Sequence, residues 1–380
     1  MDMVKLKANY AKKFGQEYVN VDGKVYKMDV VPTGSLMLDY KLGIGGFPYG
    51  GAVEVFGGNK VGKSSALGYP VLGNVQKQGR TVAVIQVEPR FRTDADRQWA
   101  LDVGGFDSEA AMILSPDHAD QAFDMLRELV FGNDVNYIMI DSLGALGNKS
   151  SAQEGGKAKA YGISGATTSV LNDIMPRLHK NKIGLLILNQ QRQKTVPGTT
   201  LISYDSPGGE GLHHNMMIRI QLKPAGEPRF HAVVDGEKVL VGRALKAQII
   251  KNNMHKGSEN TSATFNFFQN DTEEYTLGID KVNDVATTGV LTGVLTRSGN
   301  WIEHPTFPAN KSGEHKLQGL AAAGRFLLEN EKAYMQVRQE VLAIMQKEVL
   351  QSETDRRKKL SITATDAISN DQNTTKEREK

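Results

Sequence analysis

The sequence predicts an α/β fold whose mainly parallel sheet is extended by antiparallel strands. Four apolar runs lead to this reading: AVEVFGG (52–58), TVAVIQVE (81–88), VNYIMIDS (135–142) and IGLLILNQ (183–190). Each is rich in Val, Ile or Leu and mostly continuous rather than alternating, as strands buried on both faces are. Helical patterns lie between them, which implies right-handed crossovers joining parallel strands. The stretch 117–132 shows that helical half of the rhythm. Asp117 is placed as its N-cap, and Ala119, Ala122, Phe123, Leu126, Leu129 and Val130 fall on one stripe. After Gly208 the rhythm changes. MMIRIQL (216–222), a hairpin signal at Asp235-Gly236 and LKAQIIKN (245–252) read as antiparallel strands added to the sheet.

The ends differ from this core of residues 31–274. Residues 1–30 read as a short basic helix from Val4 to Phe14 followed by a strand pair around Asp22-Gly23. Residues 275–350 read as a small α/β domain closed by a helix whose stripe is Tyr334, Val337, Val341, Ile344 and Met345. Residues 351–380 hold seven basic and six acidic residues and few apolar ones, the composition of a disordered tail.

Composition removes whole classes of function. There are no cysteines among the 380 residues, which excludes disulfides, thiolate zinc sites, iron–sulfur clusters and cysteine nucleophiles. No apolar run approaches a membrane span, and MDMVKLKANYAKKFG lacks the apolar block of a signal peptide. A soluble cytoplasmic protein without a membrane partner is expected. The net charge of +3 is compatible with a nucleic-acid partner and too small to argue for one.

The chemistry is concentrated at one motif. Gly57-Gly58-Asn59-Lys60-Val61-Gly62-Lys63-Ser64, with Ser65 following, matches G-x-x-x-x-G-K-[ST] between a strand and a helix. Glycines let backbone N–H groups face a triphosphate, and the helix N-terminus adds a favourable dipole. Lys63 is placed to reach the β- and γ-phosphates of ATP, and Ser64 to ligate Mg²⁺. Asp141 ends the strand YIMID, the position of an acid that holds Mg²⁺. Glu88 ends another strand of the same parallel set, so it shares a sheet edge with Gly57 and Asp141 and is the candidate to deprotonate the attacking water. Gln190, at the end of LILNQ, either senses the γ-phosphate by hydrogen bond or caps a loop.

The approach to that motif carries more information than the motif itself. Pro32 to Gly50, reading PTGSLMLDYKLGIGGFPYG, resembles the RecA family of homologous recombinases. The resemblance continues through Glu88, Asp141-Ser142, Asn189-Gln190, Pro207-Gly208-Gly209, Ile249-Ile250-Lys251-Asn252, Gly278-Ile279 and Ser298-Gly299-Asn300-Trp301, with motif order kept over residues 1–345. It implies a RecA-like ATPase core and a DNA-dependent ATPase that polymerises on single-stranded DNA and exchanges it into homologous double-stranded DNA. It also implies self-association into helical filaments, with residues 1–30 as the polymerisation segment docking Lys13-Phe14-Gly15 on a neighbour. Single-strand-binding and mediator proteins are further partners of this kind.

By resemblance, two DNA loops follow the third and fourth core strands. The first covers 148–164 with Lys149, Lys157, Lys159 and Tyr161; the second covers 191–209 with Gln191, Arg192, Lys194, Tyr204, Gly208 and Gly209. Basic and aromatic side chains among glycines suit a tracked phosphate backbone with stacked bases. Lys251 is implied to reach a neighbour's ATP. The chain also departs from the family. The helix after the first loop lacks an arginine near its start, over Tyr161–Ala166, Asn253 stands where a second lysine is usual, Pro89–Asp107 is longer, and the tail is near charge balance rather than acidic. A RecA-like motor or helicase loader without strand exchange, and a non-catalytic filament scaffold, are the alternative readings.

Overall fold

The computed structural model describes residues 2–14, 28–86, 91–142, 159–195, 202–234 and 236–349. The strand pair expected at Asp22-Gly23, Asp235 of the hairpin signal and the tail lie outside them. Helix α1 spans Met3–Phe14. Strands β1 (Val30–Val31) and β2 (Phe47–Pro48) pair antiparallel on either side of α2 (Leu36–Leu42). The parallel set then follows. Strand β3 (Ala52–Gly57) leads through a π-helical turn, Lys63–Gly68, into α3 (Tyr69–Lys77). Next come β4 (Val82–Gln86), α4 (Asp94–Gly104), β5 (Met112–Leu114), α5 (Ala119–Gly132), β6 (Tyr137–Asp141), α6 (Lys159–Asn181) and β7 (Gly184–Gln190).

The α5 N-cap is His118 rather than the expected Asp117. His118 has extended backbone angles and its Nδ1 accepts from the Gln121 N–H at 3.1 Å, whereas the Asp117 N–H donates to Gln121 Oε1 from outside the helix. The second expected loop contains a ribbon of β8 (Arg192–Thr195) and β9 (Ile202–Asp205) before α7 (Gly209–Asn215). Two long strands, β10 (Ile218–Val234) and β11 (Glu237–Asn252), follow. The expectation that both are antiparallel additions needs correction at β10, which runs parallel to β3 with Ile218 opposite Val53 and Leu222 opposite Gly57. Helix α7 returns the chain to the amino end of the sheet, so the antiparallel extension starts only at β11.

Strands β12 (Ser262–Phe268) and β13 (Gly278–Ile279) complete a nine-stranded sheet in the order β13-β12-β11-β10-β3-β7-β6-β4-β5. The rest comprises α8 (Lys281–Thr292), a small sheet of β14 (Thr296–Ser298), β15 (Trp301–Glu303) and β16 (Lys316–Gln318), α9 (Gly319–Glu329) and a helix α10 over 331–349.

Alternation along each central strand assigns its side chains to two apolar layers. Val53, Val55, Met139, Leu186 and Leu188 pack with α3. Ala52, Ile138, Ile140, Leu185 and Ile187 pack with α5 and α6. A third cluster joins Val285, Ile302, Leu327, Val337 and Val341, with Leu36 and Tyr40 of α2 set against it. Burying both faces of the sheet supplies the main drive to fold, at about 25 cal/mol per Å² of apolar surface removed from water. Among the described residues, no helix is long and apolar enough to cross a membrane.

Candidate nucleotide site and its coupled ribbon

Four parallel strands deliver their last residues to one edge. In register, Gly57 lies opposite Gln190, Asp141 opposite Leu188, and Gln86 opposite Asp141. The loop leaving Gly57 needs glycine for two physical reasons. A Cβ on Gly57 would stand 2.2 Å from the Leu222 carbonyl oxygen, and Gly62 has φ +102°, where other residues are strained. Lys60 also adopts positive φ, and Val61 is buried, which pins the loop against the layer below. Lys63 Nζ donates to the carbonyls of Gly58 at 2.9 Å and Gly57 at 3.3 Å. Ser64 Oγ lies 3.3–3.4 Å from the Asp141 carboxylate oxygens, and both residues are buried.

This donor set fits ATP with Mg²⁺. Two hard oxygens side by side, a hydroxyl and a carboxylate, suit a small divalent cation. The glycine-lined turn carries its N–H groups at the start of a helix, where a phosphate is favoured. Asn59, Lys60 and Ser65 belong to the same turn. Gln190 projects on the face of Leu186 and Leu188, the side of the phosphate loop, and is half-buried. Glu88 lies outside the described residues, two positions beyond the end of β4.

The opposite face of the same edge holds a polar network that reading the sequence missed. Glu54, fully buried in β3, accepts from Arg219 Nε at 2.8 Å and from Asn189 Nδ2 at 3.0 Å. Arg219 also donates to Asp205 Oδ1 and to Ser206 Oγ, each at 3.0 Å, while its guanidinium lies over the Phe56 ring. Asn189 Nδ2 donates a second time, to the Pro207 carbonyl at 2.7 Å. Burial acts to raise the Asp205 pKa, but Arg219, the Ser206 N–H and His213 outweigh it and hold the carboxyl below the usual range. The available signal was one charge in each of two apolar strands, Glu54 in AVEVF and Arg219 in MMIRIQL, since a buried charge needs a partner.

Lys251 sits at the end of β11, and its ammonium donates to the carbonyls of His213 at 2.8 Å and His214 at 3.0 Å, in the last turn of α7. It is thus engaged with α7 rather than with the phosphate loop of its own chain. Burial, then Arg219, lowers its pKa from the ordinary lysine value.

The candidate DNA residues fall in four places. Lys149 and Lys157 lie outside the described residues. Lys159 and Tyr161, expected in a loop, instead stand in the first turn of α6, a helix stabilised by Val170, Leu171, Ile174 and Leu178 on its buried stripe. Arg192, Lys194 and Tyr204 are on the β8–β9 ribbon, where Arg192 pairs with Asp205 and Lys194 with Ser203; Arg192 and Tyr204 are exposed. Gly208 and Gly209, both at positive φ, turn that ribbon into α7, and a Cβ on Gly209 would lie 3.1 Å from Ser164 of α6. The two segments therefore meet at the root of α7.

Comparison with known proteins agrees with this architecture. A family model for the RecA N-terminal domain matches residues 4–269. Protein RecA of Mesomycoplasma hyopneumoniae (strain J) is 28% identical over 355 residues, covering 91% of this chain and 96% of that protein. Protein RecA of Thermus aquaticus is 28% identical over 348 residues, 89% of this chain and 93% of its own. Protein RecA of Arthrobacter sp. (strain FB24) is 29% identical over 330 residues, 85% of each. With a family match over more than half its length, this chain belongs to the RecA family.

Proposed function

We propose that this protein is an ATP-dependent homologous recombinase that assembles on single-stranded DNA and exchanges it into a homologous duplex. The observation that carries the reading is the two-sided edge. One face gathers Lys63, Ser64, Asp141 and Gln190; the other ties the neighbouring Asn189 through Glu54 and Arg219 to the β8–β9 ribbon. Mg²⁺ held by Ser64 and Asp141 would neutralise charge on the β- and γ-phosphates. Lys63 would bind those phosphates as a point charge, and Glu88 would orient and deprotonate water for attack. Arg192, Lys194 and Tyr204, with Lys157, Lys159 and Tyr161, would track the DNA backbone and stack its bases.

Filament assembly has its own support. Helix α1 leaves Met3, Val4, Tyr10 and Phe14 exposed, with Ala11 its one buried residue. Such a helix gains stability by docking on another surface. In a filament, Lys251 would release α7 and turn toward a neighbour's ATP.

The deciding experiment measures ATP hydrolysis with and without single-stranded DNA, followed by strand exchange between homologous substrates. Stimulated hydrolysis with exchange supports the reading. Stimulated hydrolysis without exchange would leave a motor, and no hydrolysis a scaffold.

A further inference from the structure

A groove of about 540 Å³ lies between the nucleotide-binding core and α10 and shares no lining residue with the nucleotide and DNA sites assigned above. Its floor is apolar, formed by Val30, Leu36, Ile44, Leu342 and Met345. Three separate elements bring cations to it: Lys77 from the last turn of α3, Lys281 from the first turn of α8 and Arg338 from α10. Among the described residues none of the three forms an ion pair. Lys77 stands at the rim, its ammonium near Gly105, which caps the C-terminus of α4.

Lys281 is the least compensated. It occupies the N-terminal turn of a 12-residue helix, the end at which the helix dipole opposes a positive charge. Burial lowers its pKa, and Lys77 and Arg338 are close enough to lower it further. The groove's two carboxylates are used elsewhere. Asp284 accepts from Leu36 N, Met37 N and Ser35 Oγ, so it caps α2, and Asp39 accepts from Thr33 N. Burial pushes Asp284 up to about 7 and Asp39 up to about 8, so neither brings a full negative charge to the groove at neutral pH.

We propose that this groove binds a small amphipathic anion, its apolar body on the Leu342–Met345 floor and its acidic head between Lys281 and Arg338. The volume is within the range of sites for small molecules, and the head group would relieve repulsion that the chain otherwise bears. The site is independent of the reading proposed for the nucleotide edge.

The test uses the full chain in saturating Mg-ATP and two fluorescent probes of similar body, anionic 8-anilinonaphthalene-1-sulfonate and neutral N-phenyl-1-naphthylamine. Wild type should bind the sulfonate roughly tenfold more tightly than the neutral probe, as one charge-assisted contact supplies. Lys281→Gln with Arg338→Gln should bring that ratio to about 1 while leaving neutral-probe affinity unchanged. Leu342→Trp should fill the floor and weaken both probes, and a urea midpoint like that of wild type will show each variant folded. Equal affinity of wild type for the two probes would overturn the proposal. So would no binding at all, or a ratio that survives in the double variant.

Discussion

Replacing Arg219 with Ala tests whether the network behind the nucleotide edge holds the core together. The substitution leaves Glu54 with no exposed surface and Asn189 as its one remaining partner in the network, after loss of the 2.8 Å bond from Nε. It also frees Asp205 and Ser206 from a donor each. Stranding one member of a buried ion pair costs about 3–5 kcal/mol, because the remaining charge keeps its desolvation penalty without its partner. With a urea m-value of about 3 kcal/mol/M for a chain of this size, the unfolding midpoint should fall by about 1–2 M. The double variant Arg219→Met with Glu54→Leu removes both charges and conserves apolar volume, so it should recover most of that loss. Equilibrium urea unfolding of wild type, single and double variants reads the result. A midpoint within about 0.3 M of wild type for Arg219→Ala, or a double variant no more stable than the single, would refute the argument.

Four further outcomes are expected. Lys63→Ala should abolish ATP turnover and nucleotide-dependent DNA binding with little change in melting temperature, since the ammonium donates to two loop carbonyls, at 2.9 and 3.3 Å, that solvent can satisfy in its place; turnover like wild type would remove the site assignment. Lys251→Ala should keep ATP binding and lose DNA-stimulated hydrolysis, and mixing it with Glu88→Gln subunits should restore some turnover, because each site would combine groups from two chains. Lys157→Ala with Lys159→Ala should weaken single-stranded DNA binding and reduce the log–log salt slope by about 0.7 per lost phosphate contact, with an unaltered slope counting against a DNA-facing segment. Because the folded state raises the Asp284 and Asp39 pKa values to about 7 and about 8, it binds more protons than the unfolded chain between about pH 4 and 8, so this contribution is intact below pH 4 and is lost as pH rises; the melting temperature of Asp284→Asn relative to wild type should therefore improve from pH 5 to pH 8, and a constant difference would contradict the shift.

The central sheet was legible because its strands are buried on both faces, which writes continuous apolar runs such as YIMI and LLIL into the chain. The phosphate loop was legible because its glycines are fixed by backbone geometry: the Leu222 carbonyl leaves no room for a side chain at Gly57. Direction and register were harder. The parallel course of β10 depends on how α7 returns the chain, and nothing local to MMIRIQL records that. The ribbon at 192–205 escaped because, among the described residues, its strands pair only with one another and carry polar residues, so no apolar period marks them. Glu54 and Arg219 were each visible as an odd charge in an apolar strand. Their pairing was not, because 165 residues separate them.

The same alternation that hid the network explains how the two faces of the edge can communicate. Asn189 and Gln190 are consecutive in β7, so their side chains project to opposite sides of the sheet. Gln190 shares its face with Leu186, Leu188 and the phosphate loop, while Asn189 shares the other with Leu185, Ile187 and α7. If Gln190 is drawn toward a γ-phosphate as proposed, any twist at the end of β7 would load the bonds from Asn189 to Glu54 and to the Pro207 carbonyl. Neither bond can lengthen freely. Glu54 is buried and shared with Arg219, and Pro207 begins the turn in which Gly208 and Gly209 bind the ribbon to α7. Lys251 closes the circuit, because its ammonium holds the last carbonyls of that same helix. The proposed movement of Gln190 would thus have a short route to the ribbon through the hydrogen bonds Asn189–Glu54–Arg219–Asp205, and to the lysine proposed to act on a neighbouring subunit through Pro207 and α7, and each link is one residue whose replacement should break it.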